Sequence, residues 1–185
     1  MLFLVVDAIM SDNIRCVSIK DNANTMAEYI FDITCTNCRE TNDSPVSINR
    51  YEKHEMPGSR GEASFVAKCK FCGKDISINI AQFELALLNS ANADDELLGK
   101  IKDKRRKRSL KTVDLKSAVL LEIDSRGSDI THFYPGNISF IVELMSGKKM
   151  EFQFEDDENE WYDYDDKAEE EVSITEFKAQ IIKGK

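Results

Sequence analysis

Along most of this chain, apolar side chains recur at every second position. Tyr29, Phe31, Ile33 and Cys35 alternate with Glu28, Ile30, Asp32 and Thr34, the period of a strand with one buried face. The same alternation runs through Ala63, Phe65, Ala67 and Cys69, and again through Ile76, Ile78 and Ile80. Phe140, Val142 and Leu144 lead into Ser146-Gly147-Lys148 and are answered by Met150, Phe152 and Phe154, which predicts a hairpin. Leu115 to Ile123 and Val172 to Ile182 supply further strand-like runs, and the apolar start, Met1 to Val6, fits a buried first strand. Helical periodicity is weak. Only in Ala81 to Ser90 could Phe83, Leu87 and Leu88 share a helix face, and a continued strand fits almost as well. Short strands divided by polar turns predict an all-β fold, a mixed β-sandwich or barrel with little helix.

Two segments break this pattern. Asn89 to Lys111 is polar and turns strongly basic from Lys100 to Arg108, and Glu155 to Glu171 is acidic with Trp161, Tyr162 and Tyr164 embedded in it. They divide the chain into an N-terminal β part (1–90), a charged, solvated surface loop (91–111) and a C-terminal β part carrying the acidic aromatic segment (112–185). Together these are expected to make one compact unit. At 185 residues with 42% apolar side chains the chain can build a sizeable core. Its formal charge of −9 argues against general nucleic-acid affinity. The apolar start is too short to cross a bilayer, which takes about 20 residues, and lacks the basic flank and cleavage site of a secretory leader. A cytoplasmic location is expected, with a nuclear one also open, and in either the thiols stay reduced.

The chemistry is concentrated in four cysteines, Cys35-x-x-Cys38 and Cys69-x-x-Cys72. Zinc favours four thiolates at the corners of a tetrahedron, and each Cys-x-x-Cys turn presents two sulfurs at the right separation. Cys35 and Cys69 are in phase with the apolar faces of their strands, so both strands deliver a sulfur to the interior. Gly73 follows the second pair where a positive φ is wanted, and Arg39, Lys68 and Lys74 offset the charge of the thiolates. A redox dithiol is the competing account, but it needs a helix N-terminus after the first cysteine, and Arg39 to Pro45 reads as loop. Four thiolates also suit iron. Cys16, unpaired in a strand-like run, is taken as a small core residue.

The segment from Pro57-Gly58-Ser59-Arg60-Gly61 to Cys69-Lys70-Phe71-Cys72 closely resembles the eukaryotic CXXC-motif-containing zinc-binding protein family, long catalogued as a domain of unknown function. The likeness extends to Cys35-Thr36-Asn37-Cys38, to Ser125-Arg126-Gly127 and to Trp161-Tyr162-Asp163-Tyr164-Asp165-Asp166, in the same order over nearly the whole chain. It implies a single-chain β protein holding zinc at Cys35, Cys38, Cys69 and Cys72, with no established catalytic activity. The chain departs from that pattern at Ser125, where a cysteine would be expected, and in a longer basic segment.

Other constellations are weaker. Gly58-Ser59-Arg60-Gly61 could cradle an anion, but reads better as a hairpin. The acidic block lacks the spacing of a calcium loop, while Trp161 and Tyr164 suggest that it is anchored to the body and could dock a protein. His54 and His132 belong to no catalytic motif. The expected function is therefore a non-enzymatic, monomeric, zinc-ribbon-like interaction module with a structural Zn2+ site and an unidentified protein partner. A metal- or thiol-transfer protein with an exchangeable zinc, and a nucleic-acid-associated zinc ribbon using the basic loop, are the alternatives.

Overall fold

In a computed structural model describing all residues, Met1–Lys185, the two-residue alternation becomes a series of fifteen strands. β1 (Leu2–Met10), β2 (Ile14–Ile19), β3 (Tyr29–Cys35), β4 (Val46–Ile48), β5 (His54–Glu55), β6 (Glu62–Ala63), β7 (Phe65–Lys68), β8 (Asp75–Gln82) and β9 (Leu87–Leu88) precede one helix, α1 (Asp95–Lys107). β10 (Ala118–Arg126), β11 (Ser128–Tyr134), β12 (Phe140–Leu144), β13 (Lys149–Phe152), β14 (Trp161–Asp165) and β15 (Glu170–Lys183) follow it. Strand makes up 48% of the chain and α- or 3-10 helix 9%, so the protein is all-β.

Six strands form one sheet in the order β14-β15-β1-β10-β8-β7, four form a second, β13-β12-β2-β9, and three a third, β11-β3-β4. All pairings are antiparallel, and the sheets curl into a half-barrel. β1 lies between β10 and β15, so strands from the two halves of the chain interleave. Its unbroken apolar run has a structural cause. Leu4 and Val6 enter the main core with Phe31, Ile78, Leu121 and Val142, while Phe3 and Val5 join Phe83, Leu110 and Val119 on the opposite face. A strand buried on both faces needs apolar residues at every position.

The segment covering that second face corrects the expectation of a solvated loop at 91–111. Asp95–Lys107 is helical, with Asp94 as N-cap accepting from the Leu97 N–H at 2.7 Å. Asp95 and Glu96 in the first turn and Lys104 to Lys107 in the last match the helix dipole. Arg105 is buried, and all five of its N–H donors are used. Nε and Nη2 grip the two Glu84 oxygens at 2.7 and 2.9 Å, and further bonds reach the carbonyls of Val113, Asp114 and Ser117. Lys104 reaches the Phe83 carbonyl, and Arg108 pairs with Glu122 at 2.9 Å. The basic run is therefore engaged with the body at three points.

The faint helical pattern after Ala81 is extended chain. Phe83 and Glu84 donate backbone bonds to Leu120 and Val119, prolonging the β8–β10 pairing. Cys16 is half-exposed beside Glu143 rather than in the core. Burial and the Glu143 charge push its thiol upward. Trp161 does anchor the acidic block, stacked on Phe152 with ring centroids 4.5 Å apart, but Tyr164 points outward and is half exposed. No helix is long and apolar enough to cross a membrane.

Candidate metal centre

The two cysteine pairs close the ends of strands in different sheets. Cys35 is the last residue of β3 in the three-stranded sheet, and Cys69 follows β7 at the edge of the six-stranded one. Each chain turns back by the same device. The Cys35 N–H donates to the Glu40 carbonyl at 3.0 Å and the Cys69 N–H to Lys74 at 2.8 Å. The Arg39 N–H returns to the Cys35 carbonyl at 3.0 Å and the Gly73 N–H to Cys69 at 2.9 Å. Both return positions have positive φ, 66° at Arg39 and 75° at Gly73. Glycine takes that conformation without steric cost, whereas arginine adopts it under strain.

All four sulfurs lie within 4.8 Å of one another. Cys35 Sγ is 3.7 Å from Cys72 Sγ, and Cys38 Sγ is 3.6 Å from Cys69 Sγ. A zinc tetrahedron with bonds of about 2.3 Å has edges of about 3.8 Å, so the donor set fits that ion in type, number and spacing. Cys35 and Cys69 are buried, Cys38 is half-buried and Cys72 is exposed. As free thiols the two outer cysteines differ sharply. The Asn37 side-chain amide, 3.5 Å from the sulfur, and the Lys74 backbone pull Cys72 down to about 6. For Cys38 the Glu40 backbone bond also pulls down, but desolvation and the bonds from the three other thiols outweigh it and push the group up to about 12. Arg39 and Lys68, the nearby cations, pair at the surface with Asp129 at 3.5 Å and Asp75 at 3.7 Å.

A fifth residue completes the frame. β10 crosses from the six-stranded to the three-stranded sheet through Gly127, since Arg126 is paired with Ser77 on β8 and Ser128 with Cys35 on β3. The Gly127 carbonyl accepts from the Thr36 N–H at 3.1 Å. A Cβ there would sit 2.2 Å from the Asp75 carbonyl oxygen, and φ is +82°. Only glycine fits between the two turns. Ser125, in place of the expected cysteine, instead donates to the Ser128 carbonyl at 2.7 Å and braces this crossover. No periodicity marks Gly127. Its readable signals are an Arg-Gly pair after a strand-like run and its place in the Ser125-Arg126-Gly127 motif. The Gly58 to Gly61 segment is a β5–β6 hairpin loop, with Gly58 at φ 71° and Arg60 exposed and without an ion-pair partner.

A family model described as CXXC motif containing zinc binding protein, eukaryotic, matches residues 3–182. The UPF0587 protein YCR090C of Saccharomyces cerevisiae is 48% identical over 184 residues, covering 100% of this chain and 99% of its own. The CXXC motif containing zinc binding protein of Homo sapiens is 30% identical over 149 residues, which is 80% of this chain and 79% of that one. Among solved structures, the crystal structure of C1orf123 superimposes with a TM-score of 0.74 at 24% identity over 98% of both chains. A hypothetical protein from Plasmodium falciparum does so at 0.69 and 21%, also over 98% of both.

Proposed function

This chain belongs to the eukaryotic family of CXXC motif containing zinc binding proteins, and on that footing we propose that Cys35, Cys38, Cys69 and Cys72 hold one Zn2+ as a closed structural site in a non-enzymatic interaction module. The observation that carries the reading is the convergence of four sulfurs from two matching turns, each at the end of a strand in a different sheet. With four protein thiolates the coordination sphere has no open position, and bound zinc supplies cross-linking rather than Lewis-acid chemistry. The residues around it bind and orient. Gly127 keeps the turns together, and the Asn37 amide donates to the Cys72 sulfur, the kind of outer bond that fixes a ligand's direction. A site of this type contributes on the order of 10 kcal/mol or more to folding. The module is expected to work as a monomer in the cytoplasm.

The test is chelation at neutral pH, followed by native mass spectrometry and circular dichroism. One bound zinc whose loss unfolds the seam between the sheets supports the structural reading. Complete removal with no change in structure or melting temperature overturns it. A second reading, an exchangeable ion passed to another protein, is favoured by the exposure of Cys72. It requires fast transfer of zinc to a chromophoric acceptor without unfolding. The basic segment supports nucleic-acid binding less than its composition suggested, because Lys104, Arg105 and Arg108 have intramolecular partners.

A further inference from the structure

We propose that the groove between the Tyr134–Asn137 turn and the Glu155–Glu158 turn docks an extended segment of a partner protein bearing Lys and Arg, a reading that rests on the interaction role above and gives it a surface. At about 640 Å³ it is within the range of about 300–1,000 Å³ typical of ligand sites. Ile30, Pro45, Pro135 and the Tyr134 ring, with Tyr134 38% exposed, give its mostly polar lining an apolar and aromatic share. That ring is held in place. The Tyr134 hydroxyl donates to Asp32 Oδ2 at 2.6 Å, and His132 packs edge-on with centroids 4.4 Å apart.

One side of the groove carries four consecutive carboxylates, Glu155, Asp156, Asp157 and Glu158. None of them has an ion-pair partner. That side is fixed at both ends. Phe154 is buried among Phe140 and Phe177, and the Asn159 carbonyl accepts from the Phe177 N–H at 3.0 Å.

Charge selects the occupant. Carboxylates without internal partners repel phosphate and anionic lipid, and attract ammonium or guanidinium groups. A cation seated over Tyr134 also gains from the ring face. The carboxylates are strung along that side, so a segment with several cations answers them better than a lone amine.

The full-length, zinc-loaded chain is titrated into a fluorescein-labelled Gly-Arg-Ser-Arg-Gly-Arg-Ser-Arg peptide, followed by anisotropy at low and physiological salt, with a Glu-for-Arg peptide as control. The expected result is saturable binding of the Arg peptide alone, with amide shifts confined to the groove. Combined E155Q, D156N, D157N and E158Q substitutions should weaken binding by about tenfold or more, and Tyr134→Ala by several-fold. Absence of saturable binding, affinity unchanged in the charge-neutralised variant, or shifts mapping to the cysteine turns would overturn the proposal. So would a dimer, seen by light scattering, that this variant dissolves, because the occupant would then be a second copy's basic helix. Zinc content and melting are read on the same samples. Lost peptide binding with zinc and melting intact marks the groove, whereas an unchanged fold after chelation removes the structural-zinc reading alone.

Discussion

Two places in this molecule are fastened by something other than apolar packing, and they are built on opposite principles. At the seam between sheets, four cysteines converge from two turns of the same design. Beneath α1, a single Arg105 ties the helix to Glu84 and to the Val113–Ser117 turn with all five of its donors. On the reading proposed above, the first divides the work among four short side chains that a metal would complete. The second concentrates it in one long side chain complete in itself. A metal staple tolerates partial exposure, and Cys72 is exposed. A charge clamp does not, and Arg105 and Glu84 are only 3% and 5% exposed, which is what keeps water from competing for the guanidinium.

Substitution separates the two. The largest effect belongs to the metal side. Cys69→Ser should abolish stoichiometric zinc and unfold the seam, because a loss near 10 kcal/mol matches the whole stability of about 5–15 kcal/mol typical of a domain. Hydrogen exchange in β3, β7 and β8 is the readout, and Cys72→Ser should cost less, since its sulfur is the exposed one. Next comes Arg105→Ala, which strands Glu84 in a buried site and should cost about 3–5 kcal/mol in denaturant unfolding without loss of zinc. Arg105→Lys should rescue little, because an ammonium cannot reproduce the paired bonds to one carboxylate. Gly127→Ala should cost about 2 kcal/mol or more and speed the release of zinc to a chelator, since the added methyl overlaps the Asp75 carbonyl at a positive φ. Smallest is Arg39→Gly. Relief of the left-handed strain should exceed the loss of the exposed Arg39–Asp129 pair, for a net gain of up to about 1 kcal/mol in thermal unfolding. The reciprocal Gly73→Arg should be destabilising by a similar amount.

The same contrast explains what could be read in advance. The strands of Tyr29–Cys35 and Phe140–Leu144 announce themselves, because burial on one face forces alternation. The convergence of the cysteines is legible because thiolate chemistry and Cys-x-x-Cys spacing encode a short-range geometry. The helix at Asp95–Lys107 is not, because its inward stripe runs Leu98, Ile101, Arg105. Where a third apolar residue would have completed the period, there is an arginine whose partner lies just past β8, 21 residues away. Composition counts that residue with the solvated cations around it, and only the fold distinguishes them. Gly127 is hidden for a related reason: its constraint comes from the Asp75 carbonyl, distant in sequence and invisible to any local pattern.

The arrangement at the seam also has a consequence in time. All four thiols are present once residue 72 has been made, whereas Gly127, β10 and β11, which brace their turns, come later. Chains are synthesised at about 5–20 residues per second, so a growing polypeptide displays a full set of metal-seeking sulfurs for seconds before the scaffold that shelters them exists. On the structural-zinc reading, the ion would be captured during that interval, and the supply of free zinc at the ribosome would set the yield of correctly assembled protein.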